Sequence, residues 1–361
     1  MPGLLKKLEI FGRNLLFRII APGVSATDAL PSLPDGVIID RVLIMRQDRI
    51  GDMIMTLPLL RRLREIHPDL SIAVVASESN SVILKYEKDI SVITYDKSPG
   101  KFLSSLLAAR DFMPDVVVDM HMHDSTTSFI YAALSGAKWK LHIDRENRLP
   151  FNIRVEVSQD GHIMDAFSGL LSGLGRKVET EELKREISLS DTETDFARCF
   201  WSGLDVAPED CIAINISSGG ENRWWGMDRY REVCRGIISL GMKPLLLYAP
   251  EHKERASTIA MQEAEILISP LTPTVLHVAA LLRDVRLLVS PDTSVVHIAA
   301  SSGIPVVGMY LPFDPSLPKW YPWQVSSRIL MSEDHRSLES ISPESVIRGV
   351  QEILEIGRGI K

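Results

Sequence analysis

A chain of 361 residues is longer than a single hydrophobic core usually grows, so its length points to two domains. With 45% hydrophobic and 24% charged residues it has the balance of an ordinary globular protein, and no apolar run reaches the roughly 18 residues of a membrane-spanning helix. A formal net charge of −7 argues against nucleic acid as a partner, because neutralising phosphates takes concentrated Lys and Arg.

Residues 1–20 place Leu4, Leu5, Leu8, Phe11, Leu15, Leu16 and Ile19 on one helical face, opposite Lys6, Lys7, Arg13, Asn14 and Arg18. This predicts a basic amphipathic helix. Glu9, Arg13 and Arg18 interrupt its apolar face and no small-residue cleavage site follows, which argues against a signal peptide. Its apolar side either packs on the protein or lies in a membrane interface, with its cations against anionic lipid. Pro22, Gly23, Pro31, Pro34 and Gly36 mark a linker, so residues 1–36 form helix and linker.

The chain is then organised around the stretch from Ile44 to Pro58. Before it, Val37–Leu43 is a branched apolar run of strand length, and after it Leu57, Leu60, Leu63 and Ile66 recur at helical spacing. A strand therefore turns through Gly51 into a helix. The unpaired N–H groups and positive dipole of such a helix start suit anions, yet Asp52 stands there. It is either a helix cap or a catalytic carboxylate. Arg46 and Arg49 flank the turn and suit bidentate contact to phosphate or carboxylate, or else a surface ion pair.

Short apolar runs then alternate with helical patterns twice over. Ile72–Val75, Val92–Thr94 and Val116–Asp119 read as strands of a first half, residues 37–205. Cys211–Ile216, Leu245–Tyr248, Leu287–Ser290 and Val306–Tyr310 read as strands of a second, residues 206–361. This alternation implies parallel sheets covered by helices, that is, an α/β protein of two Rossmann-like domains facing a cleft. Ligands of such sheets bind beyond the carboxyl ends of the strands, where Asp52, Ser217 and Asp292 fall. His121-Met122-His123-Asp124 puts two histidines on one side of an extended segment, but no third ligand is identifiable, so no metal is expected. A cleft-lining role suits His121 or His123 better. His162 either lines the same side or caps its helix. Cys199, Cys211 and Cys234 lack CxxC spacing and read as buried free thiols in a reducing cytoplasm.

The second motif is Ser290-Pro291-Asp292-Thr293-Ser294-Val295-Val296-His297-Ile298-Ala299-Ala300, which follows a strand and opens a helix. Its first-turn hydroxyls and N–H groups suit a diphosphate, with His297 one turn along; capping alone is the alternative. Together, Arg46-x-x-x-Ile50-Gly51-Asp52-x-x-x-Thr56-Leu57-Pro58 and Asp292-Thr293-x-x-x-His297-x-Ala299-Ala300 resemble the ADP-heptose:lipopolysaccharide heptosyltransferases of glycosyltransferase family 9. The likeness spans about residues 41–325 and leaves the N-terminal helix outside.

The resemblance implies the GT-B fold and an enzyme at the cytoplasmic face of the inner membrane. That enzyme moves heptose from an ADP-sugar donor to the lipid A-core acceptor, with inversion and without metal or cofactor. Asp52 matches the family's proposed general base. Asp292, Thr293, Ser294 and His297 match its nucleotide motif, with Ser294 where glycine is usual. Ser217 and Ser218 match a hydroxyl pair at the diphosphate, and Arg223 stands where some members carry a phosphate-binding lysine. Glu251, His252 and Glu254 fall after a strand end where ribose contacts are expected, with a solvated helix start the better account of at least two of them. Arg46, Arg49, Gly51, His121 and His162 are the expected acceptor side. The alternatives are a related transferase with another nucleotide sugar or acceptor, and a catalytically idle membrane adaptor. A dinucleotide-dependent oxidoreductase is disfavoured because the first turn has a single glycine.

Overall fold

A computed structural model describes residues 29–122, 125–143, 150–156, 158, 161–175, 178–183, 186–261, 263–312 and 319–358. The amphipathic helix expected over residues 1–20 lies outside them. Contacts group the chain into two compact units. The first holds residues up to Asp48, then Pro58–Lys184 and Pro315–Lys319; the second holds Arg49–Leu57, Arg185–Asp314 and Trp320–Lys361.

The sheet of the first unit comprises β1 (Arg41–Arg46), β2 (Ser71–Ser77), β3 (Ile90–Tyr95), β4 (Val116–Asp119), β5 (Trp139–Ile143) and β6 (Ile153–Val155), in the order β3-β2-β1-β4-β5-β6. Every pairing is parallel. The strands read as continuous apolar runs because helices cover both faces of a parallel sheet. The first strand begins at Arg41, four residues later than the apolar run from Val37. Asp115 accepts the N–H groups of Asp40 and Arg41 at 2.8 and 2.9 Å, so pairing with the sheet starts there, while Ile38 is 83% exposed. Strands β5 and β6 are additions to the sequence reading; β6 has only three residues, too few for a period to show.

The sheet of the second unit repeats the plan with β7 (Cys211–Asn215), β8 (Lys243–Leu247), β9 (Leu267–Ile268), β10 (Leu287–Pro291), β11 (Val306–Tyr310) and β12 (Ser327–Met331), ordered β12-β11-β10-β7-β8-β9. Its pairings are parallel too. Two parallel six-stranded sheets with covering helices are the α/β, GT-B-type architecture expected from the sequence. Strand order reverses between β1 and β4 in one sheet and between β7 and β10 in the other, and crevices that bind ligands open at such reversals.

The helix Asp191–Ser202 groups with the second unit, although the sequence reading put its first domain's end at residue 205. Its Ala197 packs with Ala280 and Leu281, and Phe196 meets the His277 ring edge-on at 4.9 Å. The last helix, Pro343–Arg358, buries Val346, Val350 and Ile353 in the core of this same unit. Cys211 and Cys234 are buried as expected, and burial pushes their thiols up to about 11 and about 12. Cys199 departs from that expectation. It is exposed, on the solvent side of its helix.

Candidate active site

The turn from β1 leads into the helix Ile50–Ile66. Arg49 is the residue before the helix, which makes Asp52 its third residue rather than its cap. The Asp52 carboxylate accepts the Arg49 N–H at 3.2 Å, half of a capping box, and its carbonyl accepts the Thr56 hydroxyl at 2.8 Å. The side chain is half-buried at the helix start. Asp52 thus helps to cap the helix from its third position.

Gly51 is a glycine for steric reasons. Within the second unit, a Cβ on it would stand 2.8 Å from His297 Cδ2 and 3.5 Å from Ser294 Cα. The turn therefore lies directly against the start of the helix Ser294–Ser301, whose His297 is 6% exposed with its ring 6.4 Å from that of Trp320.

Around that helix start the second unit builds a polar cradle. Thr293 caps it, its Oγ1 accepting the Val295 N–H at 3.3 Å. Asn215, the last residue of β7, donates from Nδ2 to Ser290 Oγ and Thr293 Oγ1, both at 3.0 Å, and to the Ser217 carbonyl at 3.2 Å. Its Oδ1 accepts the Ser217 N–H at 3.1 Å. One buried amide therefore ties the loop after β7 to the loop after β10, across the strand reversal. Ser217 Oγ accepts the Ala249 N–H at 2.6 Å and lies 3.0 Å from His252 Nδ1, and Ser218 donates to the Gly220 carbonyl. Arg223 Nη1 reaches the Asp292 carbonyl at 3.1 Å and its Oδ2 at 3.4 Å. Burial raises the Asp292 carboxyl above its ordinary value, with Arg223 and Arg49 pulling the other way. Two guanidinium groups thus bear on one carboxylate at a helix N-terminus.

Of the residues expected at the donor, Ser217, Arg223, Asp292, Thr293, Ser294 and His297 share this region, and Ser218 follows on the same loop. Glu251 is exposed, in the turn Pro250–His252. The neighbouring His252 is the one that meets Ser217, and its ring is 6.4 Å from Trp224, which in turn carries Arg255 at 4.3 Å over its face. Asn215 escaped the sequence reading, although a polar residue ending an otherwise apolar strand was an available signal; His252 stands in the segment after β8 that the sequence had marked.

Of the residues expected at the acceptor, Arg49 is exposed and groups with the second unit. Arg46 is 1% exposed in the first unit, its Nη1 on the Met120 carbonyl at 2.9 Å and on Asp48 at 3.1 Å, with Phe167 beneath the guanidinium. His121 is held by Asp119 at 2.6 Å. His162 caps the helix Ile163–Gly173, its Nδ1 accepting the Met164 N–H at 3.2 Å while Asp165 accepts its own N–H. Among the described residues, no three His, Cys, Asp or Glu side chains come together to hold a metal ion, and no helix is long and apolar enough to cross a membrane.

Comparison with known proteins fits this picture. The chain is 25% identical over 289 residues to a lipopolysaccharide core heptosyltransferase, OpsX, of Haemophilus influenzae, covering 75% of this chain and 79% of that protein. It superposes on a family 9 glycosyl transferase from Veillonella parvula with a TM-score of 0.74 at 22% identity, covering 88% of this chain and 97% of the other. For Escherichia coli heptosyltransferase WaaC with ADP the TM-score is 0.65 at 20% identity, over 87% and 99% of the two chains. The sequence model of glycosyltransferase family 9 (heptosyltransferase) matches residues 114–347, and the chain accordingly belongs to that family of enzymes.

Proposed function

We propose that this chain is an inverting, metal-independent heptosyltransferase, moving heptose from ADP-heptose to a sugar hydroxyl of the lipopolysaccharide core with Asp52 as general base. The observation that carries the proposal is the conjunction of a half-buried carboxylate at the Gly51 turn with a cation-flanked helix start in one contact unit. In this reading Asp52 takes the proton of the acceptor hydroxyl as its oxygen attacks the anomeric carbon. The carbon–oxygen bond to the diphosphate breaks on the opposite face, and ADP leaves with the electron pair. The N–H groups opening Ser294–Ser301, with Arg223, offset the charge that develops on the departing phosphate. Arg suits this task because its planar fork meets two phosphate oxygens at once. Relatives named for lipopolysaccharide core transfer, and a related fold solved with ADP, support the choice of donor and acceptor. The reaction belongs at the cytoplasmic face of the inner membrane, with residues 1–20 as the contact to lipid.

Purified protein given ADP-heptose and a deacylated core acceptor is expected to release ADP, and ADP alone is expected to raise the melting temperature by mass action. Replacing Asp52→Asn should lower kcat by about 10²- to 10⁴-fold. Full turnover by that variant would remove the base assignment. Stabilisation by another nucleotide sugar in preference to ADP-heptose would move the chain to a different donor.

A further inference from the structure

The first unit holds a second group of ionisable side chains, at the other strand reversal. Arg46 and Asp48 leave the end of β1, and Asp119 and His121 the end of β4. His121 Nδ1 lies 2.6 Å from Asp119 Oδ1 and 3.0 Å from Ser128 Oγ, while Nε2 faces Asp48 Oδ2 at 3.7 Å. The imidazole side chain is 12% exposed and Ser128 is fully buried. Asp48 also takes Arg46 Nη1, and the buried Asn80 amide donates to the carbonyls of Arg46 at 2.8 Å and Asp48 at 3.4 Å.

This arrangement does not suit the capture of an anion. Two cations face two carboxylates, so no net charge is left over for a phosphate or a carboxylate. It suits holding a loop. Each imidazole nitrogen looks at a carboxylate, so a neutral ring would satisfy Asp119 through Nδ1–H and turn a lone pair toward Asp48, whereas the imidazolium serves both. The residues held are Gln47, whose Nε2 lies 3.4 Å from Ser128 Oγ, and Asp48, and the chain continues from them through Arg49 into the helix that carries Asp52.

We propose that His121, set between Asp119 and Asp48, is a positioning residue that pins the loop after β1 and so sets the presentation of Asp52. The proposal rests on Asp52 acting as base in the transfer reaction. Burial pushes the imidazole down, but the charge and hydrogen bond of Asp119, with Asp48 behind them, outweigh it and leave the pKa above its ordinary 6.5; Arg46 opposes them. Because the folded value is raised, the pin is complete below the ordinary value and is lost as pH rises through the raised one. Its effect therefore belongs on the alkaline limb of the pH profile.

Two measurements on the full chain test this. The His121 ring, assigned in imidazole NMR spectra by its absence from His121→Gln, is expected to titrate above 6.5 and to move down in Asp48→Asn. A midpoint at or below that value, or one indifferent to Asp48→Asn, overturns the pin. In the transfer assay, wild type is expected to lose kcat on the alkaline side. His121→Gln and Asp48→Asn should lower kcat by about ten- to a hundredfold, flatten that limb and leave KM for the ADP-sugar within about twofold. Should His121→Gln unfold, Asp48→Asn, on the more exposed side of the pair, gives the same comparison. Variants that keep the wild-type alkaline limb overturn the positioning role. If wild type shows no transfer at all, the transfer reading fails, and the NMR titration still decides whether the ring is held as described.

Discussion

Gly51 illustrates how much one hydrogen atom decides in this protein. The glycine in the first motif reads from sequence as a turn residue, but its backbone lies in ordinary space and the constraint comes from elsewhere in the chain, from His297 and Ser294. Replacing Gly51→Ala puts a methyl group into a buried ring and requires His297 to move. The expected cost is about 1–3 kcal/mol of stability, read by urea denaturation, together with a weaker thermal shift on adding ADP. A variant with wild-type stability and ADP response would show that His297 yields freely. Asp52 carries a similar lesson. Its spacing from Gly51 marks it as special, while its exact part as the third helical residue, bonded back to the Arg49 N–H, follows only from where the helix begins.

Among the elements, β7 and β10 with their following loops do most to assemble the polar cradle proposed for the donor. Their apolar runs are continuous and buried, as two-sided strands must be, and both were plain in the sequence. The link between them was not, because Asn215 and Thr293 are 78 residues apart and only the parallel pairing of β7 with β10 brings them together. Asn215→Ala removes four hydrogen bonds from this junction and leaves buried partners unsatisfied. It is expected to cost about 2–4 kcal/mol of stability and to weaken ADP binding more than acceptor binding, measured by calorimetry with each ligand. Equal losses for both ligands would argue against a donor-side role. The short strands β6 and β9, of three and two residues, went unread because each depends on its neighbour for its geometry.

For the molecule as a whole, each unit has a hydrophobic core of its own, and the chain passes between the two units several times, once inside the helix Ile50–Ile66 at the Leu57–Pro58 bond. In the core of the second unit, Trp225 is fully buried and donates from Nε1 to the Ile341 carbonyl at 3.0 Å. Trp225→Phe loses that bond and leaves a void, so a cost of about 2–4 kcal/mol is expected. Calorimetry should show it as a lowered transition for the second unit; an unchanged scan would mean the site repacks at no cost. Length and the twofold alternation of strand and helix were enough to read two Rossmann-like halves, because apolar periodicity is a local property of a sequence, and the resemblance of the two motifs to family 9 supplied the GT-B expectation and the candidates Asp52, Asp292, Thr293 and His297. The bonds from Asn215 to the two loops, the closeness of Gly51 to His297, the burial of Arg46 and the pairing of His121 with Asp119 and Asp48 could not be read that way. Each depends on which strands become neighbours, and burial then sets the charge, partners and freedom of the side chains they bring together.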